Sequence, residues 1–451
     1  MKFLFFVISL FALKYSFATT YYFSDITGDD NYSAIQAQNP LTPWKTINKL
    51  NAFRNLKPGD SVLFKKGETF YGNIKVQANG EVNEPITYSS YGSGPNPVIS
   101  GFTSINGWTF SNGNTYYANV SATMIQGVTL DGEVKGMGRY PNRGYLTYTG
   151  HPNNTSISGT SVSGLPTTYV GGEVVIKKQR YILDRHKITA QSGNTISFNT
   201  TNFYGNNSTY LPDDGNGYFI QGHLSTLDQE GEWCYDAAAQ RLYMHFGSKT
   251  PIGRTVKVST VNQLLTLNSS AYITFNNIDF EGGSFGVVNS GSNNITFNNC
   301  NWRQQATAIY GADCTNMQVN GGSISDCPNN GIFIEANGTN TSINGTTVTR
   351  CGTIAGLGES GDGKYNGILI NGDGTTISNC TVKNIGFNAI YFDGNNVLVE
   401  HNFVDSFCTV KDDGGGIYTF TNDGVTRSNR IIRNNIILHA IGCPDGAQYD
   451  G

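Results

Sequence analysis

Charge is scarce in this chain. Asp, Glu, Lys and Arg make up 14% of its 451 residues, and the formal net charge is −4. Overall the chain carries no basic footprint for a nucleic acid; a total of this kind does not speak to a local basic cleft. Long runs of Glu, Lys and Ala, the usual material of helices, are absent. Gly numbers 55, and Tyr and Phe 25 each. With abundant Asn and Thr, that composition favours many short strands. Proline is sparse as well. The eight cysteines (Cys234, Cys300, Cys314, Cys327, Cys351, Cys380, Cys408 and Cys443) include no C-x-x-C pair, so a zinc site is not expected. Histidines 151, 186, 223, 245, 401 and 439 show no metal spacing. No nucleophile elbow, phosphate loop or dinucleotide fingerprint occurs, and no cofactor is called for.

Residues 1–18 have the three parts of a signal peptide: Lys2, the apolar run Phe3 to Leu13, and Ser16-Phe17-Ala18 at the cleavage positions. The apolar run is too short for a membrane anchor. The expectation is a secreted protein: extracellular, at the cell surface or in a periplasm. No later run is long and apolar enough to cross a bilayer.

What is present is a repeat. Ile332-Phe-Ile-Glu335, Ile368-Leu-Ile-Asn371, Ile390-Tyr-Phe-Asp393 and Ile417-Tyr-Thr-Phe420 recur at about 20–35 residues. Second short strands lie between them at Ile295, Met317, Thr341, Thr376, Val397 and Ile431. A period of that size means a solenoid whose units bury their apolar faces by stacking. Short β-rich units with Asn and Gly at the corners predict an all-β fold, a right-handed parallel β-helix. Cys327 and Cys351 hold matching places in adjacent units, as do Cys408 and Cys443. Stacked coils, about 4.8 Å apart, allow either a disulfide or a ladder of buried thiols, and the ladder is preferred. The many Asn-x-Ser/Thr triplets fit Asn stacking at coil corners better than glycosylation.

Residues 19–101 open the solenoid. Thr42 as N-cap and Pro43 at the first helical position predict a short capping helix over Pro43 to Leu50. Strands are expected at Tyr21–Ser24, Ser61–Phe64, Ile86–Tyr88 and Pro97–Ile99. The run Pro43-Trp44-Lys45-Thr46-Ile47, then Lys57-Pro58-Gly59-Asp60-Ser61-Val62-Leu63-Phe64, then Lys66-Gly67-Glu68-Thr69-Phe70, resembles the N-terminal coil of secreted pectin-lyase-like β-helix proteins. That resemblance implies action on polysaccharides. Residues 102–260 lose the short period and read as an inserted antiparallel β-domain. Its landmarks are Val128-Thr-Leu-Asp-Gly132, Gly138-Arg-Tyr-Pro-Asn142 and Leu227-Asp-Gln-Glu-Gly-Glu-Trp233 followed by Tyr235-Asp236 and Leu242-Tyr243. This last string is similar to the insert of β-helical glycosidases, including those related to xylosidases and fucosidases, which implies a hydrolase. A plain β-sandwich with Trp233 in its core and Asp-Gly as a hairpin turn accounts for most of the same residues. Residues 261–451 resume the coils.

Alternation assigns the faces. Ile332 and Ile334 point in; Phe333 and Glu335 point out. One outer column reads Phe333, Leu369, Tyr391, Tyr418 and then Tyr449; the next reads Glu335, Asn371, Asp393, Phe420. Acids, amides and flat aromatic faces suit a saccharide groove, although a solvated face with scattered aromatics looks the same in sequence. Two insertions interrupt the coils just before these strands. One contains Glu359-Ser-Gly-Asp362-Gly-Lys364-Tyr365-Asn366; the other is Lys411-Asp412-Asp413-Gly414-Gly415. Loops of this kind carry binding residues in solenoids. Two adjacent carboxylates should push one pKa upward, as a general acid requires.

Glycoside hydrolysis uses two carboxyl groups about 5–5.5 Å or about 6.5–9.5 Å apart, and neighbouring coils offer such spacings. The candidate acid, base or nucleophile therefore comes from Asp362, Asp393, Asp412 and Asp413. Glu335, Tyr365, Asn371, Tyr391 and Tyr418 are candidates for binding a polysaccharide or oligosaccharide. As capped turns and Asp-Gly corners the same aspartates would be structural. A rival reading is a lyase acting by β-elimination, with Lys364 or Lys411 as base and Ca2+ held by Asp362, Asp412 and Asp413. A third is a non-catalytic glycan-binding surface protein. β-Helical polygalacturonases carry Asn-Thr-Asp, Asp-Asp and Gly-His-Gly on successive coils. Here only Asp412-Asp413 matches, which speaks against a pectinase. Ending at Tyr449-Asp450-Gly451, in mid-coil, the chain is expected to be a piece of a longer protein or to be covered by a partner.

Overall fold

The computed structural model describes residues 18–202, 210–421 and 424–448. The signal-peptide segment up to residue 17 and Tyr449 lie outside the described residues. Among the described residues, strands form three long parallel sheets of ten, nine and eight strands. The second strand series of the repeat lies in the ten-stranded sheet, from Thr20–Phe23 through Asn293–Asn298 to Arg430–Arg433. The first series, Ile332–Ile334, Ile368–Ile370, Ile390–Phe392 and Ile417–Tyr418, lies in the eight-stranded sheet. The nine-stranded sheet, from Thr69–Tyr71 to Ile436–Ala440, completes each coil and has no separate signature in the repeat. Its strands follow the ten-stranded sheet after a short corner such as Asn277-Ile278, so the two read as one run in sequence.

Stacking like on like holds the coils. Tyr88, Phe275 and Phe297 stack at 4.9 and 5.1 Å between ring centres, and Phe280 stacks on Trp302 at 5.7 Å. Such burial contributes about 25 cal/mol per Å2. Asn276, Asn298 and Asn320 bond in series at 2.8 and 3.0 Å, and Asn294, the first residue of an Asn-x-Thr triplet, accepts from Asn316 at 3.2 Å. All eight cysteines are free thiols; seven are buried, and Cys443 is partly so.

The capping helix is Ile47–Ala52, not Pro43 to Leu50, and its N-cap is Thr46, whose hydroxyl accepts from the Lys49 N–H at 3.1 Å. The reason is Trp44. It is held extended in a parallel bridge to Phe23, its N–H donates to Tyr22 O, and its indole N–H donates to Tyr32 O.

The antiparallel insert leaves the solenoid at one point. Ile86–Tyr91 and Ala271–Asn276 are neighbours in the ten-stranded sheet, with Ile86 opposite Ile273. The intervening chain departs and returns through Phe102–Ile105 paired with Val256–Ser259, and Thr260 N–H donates to Gly101 O. Two four-stranded antiparallel sheets enclose Trp233, Leu242, Met244, Val256 and Val258. Asp131-Gly132 forms the hairpin turn between Val128–Leu130 and Glu133–Lys135, both residues in the left-handed region. The insert also has a larger, mainly antiparallel sheet containing Glu173–Gln179, Ile182–Ser192 and Gly217–Gln221. Its Val175, Leu183 and Phe219 join the solenoid core. Among the described residues no helix is long and apolar enough to cross a membrane.

Candidate active site

The expected outer column is real. Phe333 lies beside Leu369, Leu369 beside Tyr391 and Tyr391 beside Tyr418 on successive strands. Leu369 is nevertheless buried, because the loop of Gly363 closes over it.

Three coil excursions gather at this face, and the larger sheet of the insert grips each one. In the first, between Cys351 and Asn366, Asp184 accepts from Gly361 N–H at 2.7 Å and Ser360 Oγ accepts from Arg185 N–H at 2.9 Å. Arg185 and Gln221 also donate to Leu357 O and Gly356 O. In the second, Asp412 N–H donates to Arg180 O, and the Arg180 guanidinium pairs with Asp412 at 2.7 Å. In the third, Lys177 Nζ donates to Cys443 O and Asp445 O, both at 2.7 Å, and Gly217 N–H donates to Gly446 O.

The result is a cavity of about 650 Å3. Asp362 and Asp413 both line it, with Asn371, Tyr391 and Tyr418. Phe333, Gly363, Leu369, Phe387, Asn388 and Phe420 complete the coil side, and Tyr181 and Tyr210 of the insert line the cavity as well. The tyrosines register the acids. Burial raises the Tyr210 hydroxyl to about 12 with help from Asp362. Tyr391 is pushed up to about 12 by burial, Asp393 and Asp362. Tyr418 is raised by burial, Asp413 and Asp362. These phenols stay protonated, and a phenol can donate hydrogen bonds to a bound oxygen.

The other expected site residues stand elsewhere. Asp393 accepts from Arg427 at 3.0 and 3.1 Å and from Arg430 at 2.5 Å. Burial opposes its ionisation, but the two arginines and the Gly394 N–H outweigh it and hold the carboxyl below its ordinary range. Asp412 is not the raised acid of a like-charge pair. Although burial works against ionisation, the Asp413 N–H and Arg180 lower its pKa. Lys364 pairs with Glu359 at 2.5 Å. Glu335, with its Oε1 3.4 Å from the Tyr310 hydroxyl, borders a second cavity of about 520 Å3 together with Glu359, Lys364 and Phe333. Tyr365 is a core residue: it is 0% exposed, and its hydroxyl accepts from Gly356 N–H at 3.3 Å. The loop wraps it so closely that a Cβ at Gly358 would lie 2.6 Å from its Cζ. Lys411 is also fully buried. The proposed calcium trio does not converge, because Asp412 turns to Arg180. Among the described residues no three His, Cys, Asp or Glu side chains form a metal-holding group.

Tyr181, Tyr210 and Asn388 were not foreseen. The two tyrosines have no local signal, since the insert's docking alone brings them in. Asn388 does have one. Asn330, Asn366 and Asn388 each stand just before a Gly or Ala at the start of a coil strand, and Asn388 donates to Asn366 Oδ1 at 3.0 Å while accepting from Gly415 N–H at 2.8 Å.

No family model and no curated protein matches this sequence. Solved structures do. The chain is similar to one titled "Glycoside hydrolase" at 13% identity and TM-score 0.60, covering 93% of this chain and 96% of that one. A second, "The complex structure of XylC with xylose", has 12% identity and TM-score 0.54, covering 93% of this chain and 66% of that one. An alginate lyase from Paenibacillus sp. str. FPU-7 aligns at 11% identity and TM-score 0.38, over 88% of this chain and 94% of that one. The fold they share is a parallel β-helix. At these identities the likeness is one of fold. The β-helix and its antiparallel insert set where the acids stand.

Proposed function

We propose that this β-helix protein is a secreted glycoside hydrolase that cleaves an uncharged oligosaccharide or polysaccharide, with Asp362 and Asp413 as its two carboxyl groups. One observation carries the reading: both acids line a single aromatic-walled cavity whose described lining residues include no Lys or Arg. Hydrolysis of a glycosidic bond needs a proton donor at the leaving oxygen and a second carboxylate for water or for the anomeric carbon. Flat rings such as Tyr391 and Tyr418 offer apolar faces to sugar rings, and Asn371 and Asn388 offer amides to hydroxyls. The names borne by the two solved structures with the higher TM-scores, a glycoside hydrolase and a protein bound to xylose, agree with this class.

β-Elimination is less well served. It needs a uronate, and the described lining residues offer that carboxylate no Lys or Arg side chain. Its two candidate bases are occupied: Lys364 by Glu359, and Lys411 by backbone carbonyls.

The test is to incubate the protein with neutral and uronate-containing polysaccharides and follow both reducing ends and the ultraviolet absorbance of unsaturated uronates. New reducing ends from a neutral glycan without absorbance are expected. Absorbance rising on a uronate polymer would overturn the reading in favour of a lyase.

A further inference from the structure

We propose that Lys411 is a positioning residue that ties the loop carrying Asp362 to the loop carrying Asp413. The inference rests on the reading of those two acids given above, but its geometry stands without it. Lys411 is 0% exposed. Its Nζ donates to Gly361 O at 2.9 Å and lies 3.4 Å from Lys364 O, the carbonyls on either side of Asp362. Its own backbone is pinned, because Lys411 N–H donates to Gly386 O and the next residue, Asp412, is held by Arg180. Asp413 follows in the left-handed region of the backbone. One side chain thus spans the two excursions, from two residues before Asp413 to the backbone on either side of Asp362.

The residue type argues the same way. The Lys411 ammonium lies 5.1 and 5.3 Å from the ring centres of Tyr365 and Phe387. An aliphatic side chain would fill such a place without the cost of burying a charge. What a hydrophobe cannot do is satisfy the carbonyls of Gly361 and Lys364, which have turned inward. The groups facing the ammonium are Asp362 and Asp184, which favour its charge, and Lys364 and Lys177, which oppose it. Burial outweighs them and brings its pKa down to about 7. Below that pH the side chain is a charged donor to both carbonyls; above it, a neutral amine with a weaker hold. The tie therefore loosens as pH rises through about 7.

Hydrogen exchange read by mass spectrometry on the whole chain tests this without a substrate. In the wild type, exchange over 359–366 and 409–415, corrected for intrinsic rates, should rise roughly ten-fold between pH 6 and 8.5. Coil strands such as Asn293–Asn298 should not change. Lys411→Met should exchange fast in both loops at every pH, and Lys411→Arg, which stays charged, should remove the pH dependence. If Lys411→Met protects the loops as well as the wild type does, the proposal is wrong. A flat wild-type profile would also overturn it, and that measurement stands even if the variant does not fold. With a cleavable glycan in hand, Lys411→Met should lower kcat and leave KM near its wild-type value. Should the exchange pattern appear while no glycan is cleaved, the tie stands and the hydrolase reading fails.

Discussion

The coils and the insert bury polar groups in opposite ways. In the coils, like stacks on like: Asn276 on Asn298 on Asn320, and Asn366 on Asn388. Each rung finds a partner in its own copy one coil away, so the pattern extends without long-range design. In the insert, buried polarity comes as unlike pairs. Arg185 lies against Glu173 at 3.0 Å, and Lys178 against Asp184 at 3.0 Å, with all four side chains nearly or fully buried. Those pairs do not merely satisfy one another. Arg185 and Asp184 reach out to the 357–361 segment, and Arg180 and Lys177 reach to the other two excursions. A solenoid alone would present loops, and here the insert decides where they stand.

That contrast can be broken at several points. The largest effect is expected at the shared product of both regions, the acid pair. Asp362→Asn and Asp413→Asn should each lower the rate of glycan cleavage by about 100- to 10,000-fold while circular dichroism and thermal midpoint stay near wild type. By contrast Asp412→Asn should act through docking, with a smaller loss of rate and a lower midpoint. Next comes the insert's buried pairing. Arg185→Met strands Glu173 and should cost about 3–5 kcal/mol in denaturant unfolding; a cost below 1 kcal/mol would show that the pairing does not secure the insert.

A pH effect separates the regions further. His186 is buried against Phe198, and burial and Lys178 lower its pKa to about 4, with Asp184 pulling the other way. Because the folded pKa lies below the ordinary 6.5, the unfolded chain takes up a proton first as pH falls. Stability should hold above pH 6.5 and decline between about 6.5 and 4, by on the order of 3 kcal/mol. His186→Phe should flatten that decline in thermal scans from pH 7.5 to 4.5, and an unaltered slope would place the acid sensitivity elsewhere. The smallest effect is expected in the ladders. Asn298→Ala removes one rung and should cost about 1 kcal/mol, with no change in cleavage rate.

Much of this was legible in the residues themselves. Alternation along Ile332–Ile334 and its copies set which side chains point in, and the recurrence set which strands pair; the register of Phe333, Leu369, Tyr391 and Tyr418 follows from both. The Asp131-Gly132 turn and the interior place of Trp233 are equally local. The helix starts at Ile47 and not at Pro43 because a strand partner for Trp44, distant in sequence, holds that residue extended.

The amino-acid order by itself determined the coils, their period, their outer columns and the two loops that bear aspartates, because these depend on neighbours one step away in a repeating stack. Only the tertiary structure decided which aspartates face the cavity. Asp412 and Asp413 are adjacent, yet Arg180, more than 200 residues earlier, draws one away and leaves the other on the cavity wall. Asp393 has the right column and the right chemistry, and Arg427 and Arg430 occupy it. A carboxylate's role depends on which charges and donors surround it, and here the insert and the later coil bring those partners in from distant parts of the chain.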